Sequence, residues 1–114
     1  MNLNLLTKTA MKSSREQRHS SIIFCHGKPI SFGFNDPFRH AEENAIIDAE
    51  YKLNGSGLKG LTIVNFRLTA AGKIGLAKPC PACMDLIKSK GFRRVIWTVS
   101  YLAMCVNHFE EIYL

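Results

Sequence analysis

The spacing of apolar positions divides the chain into alternating helical and extended segments. Leu3, Leu5, Leu6 and Ala10 predict an amphipathic helix over Leu3–Lys12. Ser13–Arg18 is polar and reads as a turn or exposed connection. Ser20–Cys25 is β-branched and aromatic, Gly27-Lys28-Pro29 interrupts it, and Pro29–Phe34 resumes an extended pattern, so the pair predicts a hairpin. Asp36-Pro37 then gives a helix start signal. Asp accepts from unpaired backbone N–H groups, and Pro suits a first turn where its missing N–H does no harm. The predicted helix runs through Arg39 to about Leu53 on a stripe of Ala45, Ile46, Ala49 and Leu53, and Asn54-Gly55-Ser56-Gly57 ends it.

Leu58–Leu68 reads as a buried strand centred on Leu61–Phe66. Ala71-Gly72-Lys73 turns the chain, and Ile74–Ala77 returns it. Pro79 opens a second long helix, which carries Leu86 and Ile87 inward and stops at Gly91; Arg94–Val99 is a further strand. Tyr101–Leu114 has no clean period and fits a short helix or a short strand equally well. The order α-β-β-α-β-(β)-α-β predicts an α/β sandwich on a mixed sheet.

Length and composition narrow the class. Residues 1–114 make one domain, long enough for a core but with little room for a second module. Hydrophobic content of 46% and charged content of 21% are those of a globular chain, and no apolar run is long enough to span a bilayer. The N-terminus lacks a basic segment followed by a sustained apolar one, so the chain reads as cytoplasmic, without a secretory signal. A net charge of +6 points to an anionic partner, a nucleotide phosphate or a nucleic acid. Of the four cysteines two sit in a C-x-x-C; with no sign of an oxidising compartment, metal or thiol use is favoured over disulfides.

The chemistry concentrates in two places, His40-Ala41-Glu42 and Pro79-Cys80-Pro81-Ala82-Cys83, each at a predicted helix start. The intervening strand can bring both starts to one edge of the sheet. Cys80 and Cys83 are three apart, so in a first helical turn their sulfurs point the same way. A helix N-terminus favours thiolate over thiol. Two thiolates and one imidazole leave the fourth tetrahedral position of a zinc ion to water, whose pKa then falls by several units. Glu42, two residues from His40, stands beside such a metal and can carry protons from that water to a ring nitrogen and a leaving amine. Half a zinc ribbon or a redox pair would also contain C-x-x-C. A ribbon needs four protein ligands, however, and Cys25, His26, Cys105 and His108 form no second spaced pair. A redox pair leaves His-Ala-Glu unexplained.

These motifs form the H-x-E…P-C-x-x-C signature of zinc deaminases. His40–Ile46 and Lys78–Ile87 resemble the two motifs of the cytidine and deoxycytidylate deaminase superfamily, and the likeness extends through Gly33-Phe34-Asn35 and Gly91–Ile96. The resemblance implies a three-layer α/β/α sandwich with a central mixed five-stranded sheet, whose C-terminal end is shortened here. It further implies one zinc held by His40, Cys80 and Cys83, and hydrolytic loss of ammonia with Glu42 as proton shuttle. It also places Asn35 on the substrate sugar or base, a backbone group of Ala41 on the base edge, and Ala77–Pro79 along the pocket. Asn-Ala-Ile after His-Ala-Glu resembles the deoxycytidylate type. The Arg67–Ala77 hairpin resembles compact viral and phage members, and relatives are commonly homo-oligomers.

A second expectation is a deaminase of single-stranded DNA or RNA, including tRNA, acting on cytosine or adenine. It is motivated by the basic stretches Lys12–Arg18, Lys52–Lys59 and Lys88–Arg94, though the positive charges are dispersed and no pattern of alternating aromatic and basic residues marks a strand-binding groove. A third, a zinc-stapled binding module without activity, has no use for Glu42. Arg39 and Lys78 read as solvated charges or as phosphate contacts. Trp97 reads as core, Cys25 and Cys105 as small buried hydrophobes, and His26 as an exposed turn residue. Asn65 and Arg67 either line the cleft or follow strand alternation.

Overall fold

The computed structural model describes residues 3–54, 57–99 and 109–114. Helix α1 (Leu3–Ala10) leads into strand β1 (Arg18–Cys25), which turns into β2 (Lys28–Phe34). His26 and Gly27 take φ of 51° and 77°, so both central turn residues are left-handed, as the twist of a tight hairpin requires. Helix α2 (Ala41–Leu53), β3 (Thr62–Leu68), the two-residue β4 (Ile74–Gly75), α3 (Pro81–Ser89), β5 (Arg94–Thr98) and β6 (Phe109–Tyr113) follow.

Among the described residues the sheet has six strands rather than the expected five, in the order β2-β1-β3-β5-β6, with β4 paired to the end of β3. Of these strands only β3 and β5 pair in parallel, and the helix α3 makes the crossover between them. The tail is not cut short of a last strand: β6 runs antiparallel along β5, from Arg94↔Tyr113 to Thr98↔Phe109. The sequence left this segment open between helix and strand because Glu110, Glu111, Ile112 and Tyr113 are all exposed, so no alternation marks it. Cys105 and His108 lie outside the described residues.

Alternation along the central strands builds a core on each face. Ile23, Ile63, Val95 and Trp97 meet α2 and α3 through Ala45, Ile46, Ala49 and Ile87. Ile22, Val64, Phe66 and Ile96 meet α1 through Leu6 and Ala10. The result is the three-layer α/β/α sandwich expected. Trp97 is core as expected, whereas Cys25 is only half-buried.

Two helix starts fall later than the sequence suggests. Asp36 closes its own loop: Oδ1 accepts the N–H groups of Phe38 and Arg39 at 2.8 and 2.7 Å, and its N–H donates to the Arg39 carbonyl. These bonds hold its carboxyl below the usual range. Its Oδ1 is thus used in the loop, its Oδ2 accepts the Asn44 side-chain N–H of α2 at 3.1 Å, and His40 becomes the N-cap of α2. Likewise α3 starts at Pro81, not Pro79, with Cys80 as N-cap. Gly33 on β2 permits the close approach of α2, because a Cβ there would collide with the backbone of Ala41 and Ala45.

Candidate metal centre and active site

Both N-caps are candidate ligands. An N-cap residue is extended while the next is helical, so its side chain projects from the helix end beside unpaired N–H groups. His40 (ψ 161°) and Cys80 (ψ 162°) occupy this position on α2 and α3, and Cys80 Sγ accepts the Cys83 N–H at 3.5 Å. The central sheet places the two helix starts side by side. His40 Nδ1 lies 3.2 Å from Cys83 Sγ and 3.9 Å from Cys80 Sγ, and the three donor atoms fall within 4.8 Å of one another.

The donor set fits zinc. Ligands on a tetrahedral ion with ordinary Zn–S and Zn–N lengths stand about 3.6 Å apart, between the two observed values. Electrostatics agree. Burial pushes the Cys83 thiol up, and Glu42 and Cys80 push it further, so these crowded groups lack positive charge. A dication held by these three residues would supply it and favour the thiolates.

The centre opens into a cavity of about 420 Å³ lined by His40, Ala41, Glu42, Ala77 and Cys80. Glu42 is only 7% exposed, on the first turn of α2. Burial pushes its carboxyl up, while its own backbone N–H, His40 and a hydrogen bond from the Asn65 side chain pull the other way. Pro79 is buried next to Cys80, outside the lining.

Asn35 also lines the cavity, with its amide already engaged. Its Oδ1 accepts the His19 N–H at 2.8 Å and its Nδ2 donates to the Gln17 carbonyl at 2.7 Å. One N–H and one acceptor lone pair remain for another molecule.

The rim is basic. Arg15, Arg39 and Lys78 line it, joined by His19 and by Phe38, whose ring is 89% exposed. Arg39 and Lys78 were candidates from sequence, and Lys78 also sits 5.5 Å over Trp97. Arg15, His19 and Phe38 were missed, since no local spacing signals that these positions meet at one cavity. Arg67 does not line it; Nε and Nη2 both donate to Gln17 Oε1 at 3.2 and 2.9 Å. His19 has its pKa lowered chiefly by burial, then by Arg67 and His40.

Fold and site together define a zinc-centre deaminase domain. The chain belongs to the cytidine and deoxycytidylate deaminase zinc-binding family, whose model matches residues 4–99. Solved structures share its fold. The dCMP deaminase of cyanophage S-TIM5, crystallised with dCMP and dUMP, superposes with a TM-score of 0.66 at 18% identity, over 87% of this chain and 79% of its own. A mutant cytidine deaminase from Mycobacterium tuberculosis gives 0.56 at 16% identity, over 85% and 84%. A diaminohydroxyphosphoribosylaminopyrimidine deaminase/reductase from Thermotoga maritima gives 0.62 at 20%, over 93% of this chain but 31% of its own. Among curated sequences none matches. No helix among the described residues is long and apolar enough to cross a membrane.

Proposed function

We propose that this protein hydrolytically deaminates a free cytosine nucleotide of the dCMP type, giving the uracil nucleotide and ammonia. The carrying observation is the cavity itself, where His40, Cys80 and Glu42 share a wall with a basic rim of Arg15, Arg39 and Lys78, and Cys83 Sγ lies 3.2 Å from His40 Nδ1 to complete the donor trio. A neutral nucleoside has no use for that rim, whereas a monophosphate does. The cyanophage dCMP deaminase, crystallised with dCMP and dUMP, supports the same substrate class.

In this reading His40, Cys80 and Cys83 hold zinc, which when bound supplies the Lewis acidity that makes water a nucleophile near neutral pH. Glu42 accepts one proton from the attacking water on its carboxylate and passes it to N3 of the ring. As the C4–N bond breaks, the same carboxylate carries the second water proton to the departing amine, so that C4 ends as a carbonyl and nitrogen leaves as ammonia. Burial keeps bulk water from competing for that carboxylate. Asn35 offers its free amide N–H to the sugar or base, the Ala41 backbone meets the base edge, and Pro79 stiffens the segment entering Cys80. Free thiolate ligands suit the reducing cytoplasm.

The basic stretches do not form one track, which favours a free nucleotide over a strand. Arg15 faces the cavity, Lys59, Arg93 and Arg94 line a separate pocket, and Lys90 is paired with Glu50. The test is ammonia release from dCMP, dCTP, cytidine, deoxycytidine, adenosine and a single-stranded oligonucleotide. Turnover fastest with dCMP is expected. Silence with every compound sinks the proposal, and turnover of the oligonucleotide alone replaces it with the nucleic-acid reading.

A further inference from the structure

Asn65 is a buried primary amide on the α2/α3 face of the sheet, flanked along its strand by Ile63 and across it by Ser21 on β1 and Trp97 on β5. A group this polar is kept in a core only where its bonds are made. Those bonds lead to the active site. The Ser21 hydroxyl, fully buried, donates to Asn65 Oδ1 at 2.7 Å. On the other side Nδ2 donates to the Ala77 carbonyl at 3.5 Å and hydrogen-bonds Glu42. Asn65 does not line the cavity, but Ala77 and Glu42 both do.

The orientation of the amide is determined by this set of neighbours. Turned over, Oδ1 would face the Ala77 carbonyl and the Glu42 carboxylate, leaving acceptors against acceptors. With Ser21 donating to Oδ1, both N–H groups point toward the site. We propose that Asn65 is a positioning residue, whose amide holds the Glu42 carboxylate in its catalytic rotamer and ties it to the segment entering Cys80.

The residue type fits that task. A glutamate has three rotatable side-chain bonds, and proton transfer needs its oxygen within hydrogen-bond reach of the reacting atoms. Lys, Arg or His would fix the carboxylate but neutralise it. An aspartate would repel it. A neutral amide fixes it with a downward pull on its proton affinity smaller than that of its own backbone N–H or of His40, and leaves burial the larger influence.

The proposal rests on Glu42 being the proton carrier, so the experiment has two arms. In the first, Asn65→Ala, Asn65→Asp and Ser21→Ala are compared with the zinc-loaded parent for dCMP turnover and zinc content. Asn65→Ala and Asn65→Asp should lower kcat about tenfold or more, with KM and zinc content near the parent's. Ser21→Ala keeps the amide but frees it to rotate, and should give a smaller loss in kcat; it carries this arm where the Asn65 variants do not fold. A kcat within about twofold of the parent for the Asn65 variants overturns the proposal, and so does loss of zinc together with activity. The second arm needs no turnover. In folded 15N-labelled protein, Glu42→Gln should move the Asn65 side-chain amide resonances, and unmoved resonances overturn the proposal. A parent that deaminates nothing removes the functional reading, while this second arm still decides the contact.

Discussion

His40 Nδ1 and Cys83 Sγ lie 3.2 Å apart although 43 residues separate them in the chain. The contact joins the N-cap of α2 to the first turn of α3, so the metal centre is also a clasp between two helices. Metal binding and stability are therefore linked. Freshly purified protein should hold about one zinc per chain, and a strong chelator should lower its melting temperature and abolish turnover together. Cys83→Ser should do the same. Unchanged metal content in that variant would show that the three residues are not the ligands.

Glu42→Ala removes the proposed proton carrier without touching a ligand. Zinc content should stay at the parent's level while kcat falls by about 10²–10⁴. Steady-state kinetics with metal analysis on the same sample checks this. A loss of only a few-fold would assign the proton transfers to another group.

The basic rim predicts a split between nucleotide and nucleoside. Arg15→Ala, Arg39→Ala or Lys78→Ala should lower kcat/KM for dCMP about tenfold, the usual weight of one charge-assisted hydrogen bond. Deoxycytidine should be nearly unaffected. Equal losses for both substrates would place these cations outside the phosphate site.

Gly33→Ala tests the packing that seats α2. The new Cβ meets backbone at Ala41 and Ala45, which no rotamer change relieves. The expected loss is about 3 kcal/mol, read as a lower urea midpoint, together with weaker zinc retention because His40 moves with the helix.

His19 sets a pH dependence. Burial, then Arg67 and then His40 depress its folded-state pKa below the usual 6.5. The unfolded chain therefore takes up a proton more readily, and stability rises with pH. Full stability is present above about pH 6.5 and is lost as pH falls through the depressed value. His19→Gln should show a smaller drop in melting temperature between neutral and mildly acidic buffer than the parent.

The deaminase motifs were legible because their information is local. Three-residue spacing within one turn aligns Cys80 with Cys83, and His40 stands two residues from Glu42 whatever the rest of the chain does. The exact helix starts were less so. Asp36-Pro37 carries every mark of a start, but Asp36 Oδ1 caps its own loop at Phe38 and Arg39 instead of the helix, and α2 begins only at Ala41, where it packs against Gly33. Strand β6 has no period to read, since an edge exposed on both faces selects for none.

Backbone periodicity over a few residues, then, sets the element order as far as β5, the alternation that builds two cores and the three candidate metal ligands. Tertiary structure alone decided what the trio faces. Arg15 and His19 precede it by more than one element, Lys78 comes from the loop between β4 and α3, and Asn65 comes to Glu42 from the central strand β3. Such meetings depend on strand pairing and helix packing between distant segments, and no short-range pattern encodes them.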